Sequence, residues 1–174
     1  MKSLKEYIVE GLLDRVKNKE VDHKVFIEEF LKENYKIKGS YTIKETNNKF
    51  IVDVKGSVKV INKNITSLTN GLFEFNLVEG VFLCSYCKNL ISLEGVPEKV
   101  GRTFECYNCK ALTTLEGAPK EVGCDFICSF CDSLKSLKGV PEKVGDSFYC
   151  RDCGIQFTEE DVRKHIKVVK KIYV

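Results

Sequence analysis

Eight of the nine cysteines fall into four Cys-x-x-Cys pairs, and the pairs follow one another at a constant spacing. Two such pairs are the common ligand set of structural zinc, which four thiolates hold in a tetrahedron. Such pairs also occur at redox sites, and free cysteine is among the residues most often buried in protein cores. If zinc binds, its ligands would come from Cys84, Cys87, Cys106, Cys109, Cys128, Cys131, Cys150 and Cys153.

The cysteine spacing is shared by residues that zinc does not require. Phe, Leu, Gly, Pro and a Val-Gly pair recur with the same period of twenty-two positions, and the register never slips. The repeat therefore explains the cysteines first, and we expect a ladder of buried thiols, with zinc as the second interpretation and redox function as the third. The period is marked most clearly by Phe82, Phe104, Phe126 and Phe148, and after them by Leu90, Leu112 and Leu134, Leu93, Leu115 and Leu137, Gly95, Gly117 and Gly139, and Pro97, Pro119 and Pro141.

A period of this length predicts that each unit is one coil of a solenoid. A single coil cannot bury its apolar side alone and is stabilised by stacking on its neighbours. Phe-x-Cys and Leu-x-x-Leu indicate short rungs with inward side chains, while Gly and Pro mark the corners. Coils in register would lie about 4.8 Å apart, within disulfide reach for stacked cysteines. Cys124 stands outside the ladder and is interpreted as a surface thiol.

The repeat units "LISLEGVPEKVGRTFECYNC", "LTTLEGAPKEVGCDFICSFC" and "LKSLKGVPEKVGDSFYCRDC" resemble leucine-rich repeats. They are most similar to the bacterial surface-antigen variety and to related repeats of bacterial and bacteriophage proteins. The resemblance covers residues 58–154 and implies an α+β fold, a short leucine-rich-repeat-like β-solenoid, that binds another protein, such as a bacterial host factor blocked by a phage-encoded inhibitor. It also implies that Cys87, Cys109 and Cys131 bond backbone groups inside the turn.

The two ends of the chain predict caps for this array. Residues 1–57 form an N-terminal helical and β-hairpin cap, with one helix on the stripe Leu4, Ile8, Leu12 and Val16, a second helix starting at Asp22, and a hairpin around Asn47-Asn48. Residues 58–154 form the solenoid, beginning with a degenerate coil in which Val58 replaces Phe and Asn62 or Lys63 lies near the second cysteine position. Residues 155–174 form a C-terminal capping helix on the stripe Val162, Ile166, Val169 and Ile172.

Composition and motifs disfavour several classes of function. The 174 residues carry a net charge of only +3, which is too weak for a typical nucleic-acid binder, and no apolar run is long enough for a membrane span. Without a signal peptide the chain is expected to be cytoplasmic. His23 and His165 lie in different caps, and no phosphate-binding or nucleophile motif occurs, so we expect no catalysis and no cofactor. The basic last helix is interpreted as a solvated face.

Function is therefore expected at the surface, where outward positions of successive coils align in columns. One column contains exposed aromatic residues, the type enriched at binding hot spots, and another is polar with mixed charge. The first hypothesis is a protein-interaction module; the second is a zinc-dependent domain contacting nucleic acid; the third is a structural subunit of a larger assembly. The candidate partner-binding residues are Tyr86, Tyr107, Phe130 and Arg151 in the first column and Glu94, Glu116 and Lys138 in the second.

Overall fold

The structure is a computed structural model that describes residues 22–47, 49–167 and 169–174. The helix expected on Leu4, Ile8, Leu12 and Val16 lies outside the described residues. Within them the chain is mostly β, with two helices and eleven strands. The expected α+β class is therefore not confirmed, and the array is a parallel β-solenoid.

The helix expected after Asp22 is present as α1, His23–Asn34. It begins there because the Asp22 carboxylate accepts a hydrogen bond from the Lys24 N–H at 2.8 Å and so satisfies one of the free donors of the first turn. Its buried face contains Phe26, Ile27, Phe30 and Leu31, which the spacing of three and four residues places on one side. The helix ends at Tyr35, where the backbone becomes extended and enters the first strand.

The expected β-hairpin is confirmed. Strands β1 (Tyr35–Thr46) and β2 (Lys49–Val60) pair antiparallel, with Tyr35 opposite Val60 and Thr46 opposite Lys49. Asn47 takes the left-handed conformation, φ 51°, that the tight turn requires and that Asn tolerates well. The long strand β2 then serves as the first rung of the solenoid, because its two halves pair in parallel with two different later strands.

Each coil contributes two short strands that stack on those of the coil before. The strands are β3 (Glu74–Val78), β4 (Phe82–Leu83), β5 (Lys99–Val100), β6 (Phe104–Glu105), β7 (Glu121–Val122), β8 (Phe126–Ile127), β9 (Lys143–Val144) and β10 (Ser147–Tyr149). One column runs β2-β4-β6-β8-β10 and the other β2-β3-β5-β7-β9, all in parallel. Phe104 pairs with Phe126 and Val100 with Val122, so the register expected from the repeat is confirmed.

The degenerate first coil is also confirmed, but the step from this coil to the next, counted in residues between paired positions, differs from the later ones. Val58 pairs with Phe82, as the sequence pattern predicts for a Val in the Phe position. This step is two positions longer than the steps between later coils, and a register shift between Val52 and Asp53 accompanies it. The Lys63 ammonium donates to the carbonyl oxygens of Val60 and Ser85, at 2.7 and 2.6 Å. A lysine thus satisfies turn carbonyls at the position that cysteine takes in later coils.

The core is a set of stacked columns of identical side chains. The Phe rings lie nearly parallel, with centroids 5.7, 5.2 and 5.6 Å apart from Phe82 through Phe104 and Phe126 to Phe148, and all four are fully buried. Such offset stacking adds to the stabilisation that burial provides. Close stacking needs glycine at one corner: a Cβ on Gly123 would lie 2.0 Å from the carbonyl oxygen of Gly101 in the coil below.

The C-terminal segment caps the last coil with a short helix and a strand. Helix α2 covers only Glu159–Arg163, and its N-cap Thr158 forms a capping box with Asp161. Strand β11 (Lys171–Tyr173) pairs in parallel with β10, and places Ile172 beside Phe148. The stripe Val162, Ile166, Val169 and Ile172 therefore does not lie on one helix, because backbone pairing with the last coil replaces the helical bonds.

No helix in the described parts of the chain has both the length and the apolar character needed to cross a bilayer.

Candidate partner-binding column

Three aromatic rings form a continuous row along one corner of the solenoid. The ring centroids of Tyr86 and Tyr107 are 5.4 Å apart, and those of Tyr107 and Phe130 are 5.2 Å apart. Tyr86 is 55% exposed and Phe130 39% exposed. These three residues, here called the aromatic column, bring together the ring-bearing members of the predicted site.

The rings come from two adjacent repeat positions, which lets them interleave. Tyr86 and Phe130 occupy the position held by Asn108 and Asp152 in other coils, whereas Tyr107 lies one residue earlier. Neighbouring coils place small serines at that earlier position: the Ser85 hydroxyl bonds the Glu105 carboxylate, and Ser129 Oγ accepts from the Arg151 N–H at 3.0 Å. Small residues beside large ones thus leave room for each ring to tilt against the next, at interplanar angles of 57° and 50°.

The backbone under the aromatic column is in the left-handed region. Tyr86 has φ 63° and Phe130 φ 61°, like Asn108 (56°) and Asp152 (53°) at the same repeat position. Asn and Asp adopt this conformation at little cost, whereas a bulky side chain is strained there. The turn is held by hydrogen bonds between coils, such as Tyr86 N–H to Tyr107 O at 2.8 Å. The backbone conformation alone would favour Asn at the positions of Tyr86 and Phe130, so the rings are kept there at a conformational cost.

A second group of aromatic residues continues the surface at the C-terminal end. The Arg151 guanidinium lies over the Tyr173 ring at 5.2 Å, and Tyr173 stacks on Tyr149 with centroids 4.6 Å apart. Arg151 is exposed, and its carbonyl oxygen accepts the Phe130 N–H at 2.8 Å. The predicted member Arg151 therefore belongs to the coil directly beyond the aromatic column.

The other predicted column lies at a different corner. Glu94, Glu116 and Lys138 precede Gly95, Gly117 and Gly139, and the buried Cys87, Leu90 and Leu93 positions lie between this corner and that of Tyr86. Lys138 forms an ion pair with Glu116 at 2.8 Å, which raises the pKa of the lysine. Other columns pair in the same way, including Lys120 with Glu98 and Lys110 with Asp132. These exposed pairs contribute little stability and neutralise the surface charge between coils.

The cysteines form a buried ladder in which thiols bond backbone carbonyls. The second cysteine of a coil donates to the carbonyl of the first cysteine of the previous coil, from Cys109 to Cys84 at 3.2 Å and from Cys131 to Cys106 at 3.3 Å. This agrees with the backbone-bonding role expected for Cys87, Cys109 and Cys131, although the Cys87 thiol donates over a longer distance, 3.9 Å, to the carbonyl of Ser85 in its own coil. Buried carbonyls that would otherwise be unpaired are satisfied by these thiols.

The ladder does not fit a metal site. Burial raises the pKa of Cys84, and burial together with Cys131 raises the pKa of Cys109 to about 12, whereas the hydrogen bond with Cys106 lowers the pKa of Cys131. Across residues 22–47, 49–167 and 169–174, no three His, Cys, Asp or Glu side chains are grouped so that they could hold a metal ion. His23 stacks on Phe50, and His165 Nδ1 bonds the Asp161 carbonyl oxygen.

Comparison with protein-family models, curated proteins and solved structures gave no match to this chain.

A cavity of about 350 Å³ lies between the hairpin and the first coils. Its walls include Phe50, Thr69, Phe73, Glu74 and Glu94, and Glu74 is paired with Lys49 at 2.7 Å. Sequence reasoning did not find this cavity, because its walls combine segments that are far apart in the chain and most of them precede the regular repeat. It is open and mixed in polarity, and only Glu94 among the predicted site residues borders it.

Proposed function

We propose that this chain is a protein-interaction module, a leucine-rich-repeat-like solenoid that binds its partner through the aromatic column. The observation that carries the proposal is the exposure of Tyr86 and Phe130 on strained, left-handed backbone. Strain retained at an exposed site is typical of residues that serve binding, and fixed aromatic rings lose little conformational entropy when a partner covers them.

The surroundings of the column support a protein partner over nucleic acid. Tyr and Arg are enriched at the centres of protein interfaces, and the row Tyr86, Tyr107, Phe130 is followed by Arg151 in the next coil. Lys110, in the turn after Tyr107, is neutralised by Asp132 at 2.7 Å, so this lysine does not extend the rings into the cationic track that single-stranded nucleic acid would require.

The environments of the cysteines and histidines support a binding protein over an enzyme. The pKa values of the buried Cys84 and Cys109 thiols are raised, and the two histidines contact other groups. The resemblance to repeats of bacterial and bacteriophage proteins makes a bacterial protein the partner class, with inhibition of a host factor in the cytoplasm as the biological role. A structural role in a larger assembly is the competing proposal, and a native mass several times that of the 19.8 kDa chain would favour it.

The proposal is tested by capture from bacterial lysate with a matched pair of variants. Tyr86→Asn, Tyr107→Ser and Phe130→Asn together install residues that the repeat itself uses at those positions, so the variant is expected to fold. The control carries Glu94→Gln, Glu116→Gln and Lys138→Gln at the other corner. Wild type and control should retain the same protein at stoichiometric yield, whereas the aromatic variant should lose it.

The interaction is then measured with the purified partner by calorimetry. Truncation of a central aromatic anchor typically costs about 2 kcal/mol or more, a loss of roughly 30-fold in affinity. Equal binding by the aromatic variant and the wild type would refute the proposed site. Equal loss in both variants would also refute it, because the effect would then not be specific to the aromatic column.

A further inference from the structure

The last Cys-x-x-Cys pair has a different environment from the pairs before it. Cys150 Sγ and Cys153 Sγ are in direct contact at 3.2 Å. Cys153 is partly exposed, whereas Cys87, Cys109 and Cys131 at the same repeat position are fully buried. Within the described residues the four pairs are therefore not equivalent, although their sequence spacing is identical.

Solvent reaches this pair through a cavity of about 360 Å³. Cys150 and Cys153 both line it, together with Arg151, Asp152 and Ile155. A small disulfide reagent can therefore approach Cys153 without unfolding of the coils. The earlier pairs, by contrast, are covered on both sides by stacked coils.

We propose that Cys150 and Cys153 form a reversible disulfide by exchange with a low-molecular-weight disulfide such as glutathione disulfide, which makes the last turn of the solenoid a redox-modification site. Disulfide formation needs the two sulfur atoms to approach from 3.2 Å to about 2.05 Å, a movement that rotation of the half-exposed Cys153 side chain can supply. This inference is independent of the proposed partner-binding function.

The exchange balances in two steps. The thiolate of Cys153 attacks one sulfur of glutathione disulfide, the sulfur–sulfur bond of the reagent breaks, and one glutathione thiolate leaves. The thiolate of Cys150 then attacks the Cys153 sulfur of the mixed disulfide and releases the second glutathione. The protein loses two protons and two electrons, and one glutathione disulfide becomes two glutathione molecules.

The reaction is expected to accelerate as pH rises. The hydrogen bond to Cys150, together with burial, raises the pKa of Cys153 above its ordinary value, so the reactive thiolate is scarce at neutral pH. When the Cys150–Cys153 contact opens, the part of the pKa rise that comes from this hydrogen bond is lost. We therefore expect the reaction to begin at Cys153, at the solvent-accessible end of the ladder.

Trypsin gives a direct assay because Arg151 lies between the two cysteines. Cleavage after Arg151 places Cys150 in the peptide of residues 144–151 and Cys153 in that of residues 152–163. The variant used in this assay carries Cys124→Ser, so that the partly exposed Cys124 cannot cross-link two chains. After incubation with glutathione disulfide, alkylation in urea and digestion, we expect the two peptides as one linked species, two hydrogens lighter than their sum.

Two controls make the assay decisive. The interior pair Cys106 and Cys109 shares one peptide, residues 103–110, and should carry two alkyl groups after the same treatment. Protein oxidised in urea shows that every pair can react once unfolded. Oxidation of residues 103–110 as fast as the last pair, a link from Cys150 to Cys128, or two free alkylated peptides from the folded protein would each overturn the proposal.

Discussion

Replacement of Gly123 by alanine tests whether the coils stack as described. A Cβ at this position would lie 2.0 Å from the Gly101 carbonyl oxygen, far closer than real contacts allow. The obstructing atom belongs to the backbone of the adjacent coil and has no rotamer to change. The backbone conformation at Gly123 itself is outside the left-handed region, so alanine meets no local strain there.

The size of the effect follows from the hydrogen bonds that separation of the coils would break. Gly123 N–H donates to the Val100 carbonyl at 2.9 Å, and Cys124 N–H donates to the Arg102 carbonyl at 2.9 Å. Gly123 and Arg102 are exposed, so loss of these two backbone bonds lowers the free energy of unfolding by about 2 kcal/mol. That is a large share of the roughly 5–15 kcal/mol that stabilises a typical domain.

Urea denaturation followed by circular dichroism measures the change, and the sign decides the outcome. At an unobstructed site with ordinary φ, Gly→Ala raises stability by about 0.4–1 kcal/mol, because it restricts the unfolded chain. The control is Gly71→Ala, where φ is +70° but nothing lies within 4 Å of the added Cβ. That variant should lose only about 1 kcal/mol. A Gly123→Ala protein as stable as wild type would refute the stacking of Gly123 on Gly101.

Two further predictions concern the buried columns. Phe104→Ala should lower the free energy of unfolding by about 3–5 kcal/mol, because it removes a fully buried ring between Phe82 and Phe126; chemical denaturation checks this, and a loss below about 1 kcal/mol would place the ring outside the core. Stability should also fall as pH rises above about 8.5. Unfolded thiols ionise from that pH, whereas burial raises the pKa of Cys109 to about 12 in the folded chain. Between these two pH values the folded state binds more protons than the unfolded state, so each rise in pH lowers the free energy of unfolding. Unfolding midpoints in urea, measured from neutral pH up to the raised pKa of Cys109, check this effect, and a flat profile would mean that the ladder thiols are exposed.

The regular part of the fold could be predicted from the sequence because the same residues return at one interval. A side chain such as Phe104 faces the same inner column as Phe126, so the period itself determines the pairing register. Even Val58, in the irregular first coil, takes the Phe position as the pattern indicated.

The ends of the solenoid were harder to predict because no repeat constrains them. The helical spacing of Val162 and Ile166 is genuine, but Ile172 belongs to a strand, since its backbone finds open partners on β10. Local periodicity shows only which residues are buried and not which backbone partner is free. The longer step at Val58 likewise depends on an irregularity in β2 that has no sequence signature of its own.

The candidate site could be predicted in its residues but not in its geometry. Aromatic residues near the Cys-x-x-Cys turn were evident, and Asn108 and Asp152 at the position of Tyr86 signal a left-handed turn. The tilt of Tyr107 between its neighbours depends on how adjacent coils are offset in space. The special environment of Cys153 depends on the cavity at the end of the array, which the identical spacing of the four pairs conceals.

The most direct test of the register is the detection of scalar couplings across the hydrogen bonds between coils in the labelled protein. The Phe104 N–H donates to Asp125 and the Cys106 N–H to Ile127, both at 2.9 Å. Magnetisation transferred through these bonds should connect the Phe104 nitrogen to the Asp125 carbonyl carbon and the Cys106 nitrogen to that of Ile127, with the same separation along the chain in both cases. Couplings from these nitrogens to carbonyls a few residues away, or at any other separation, would contradict the stacking of successive repeats.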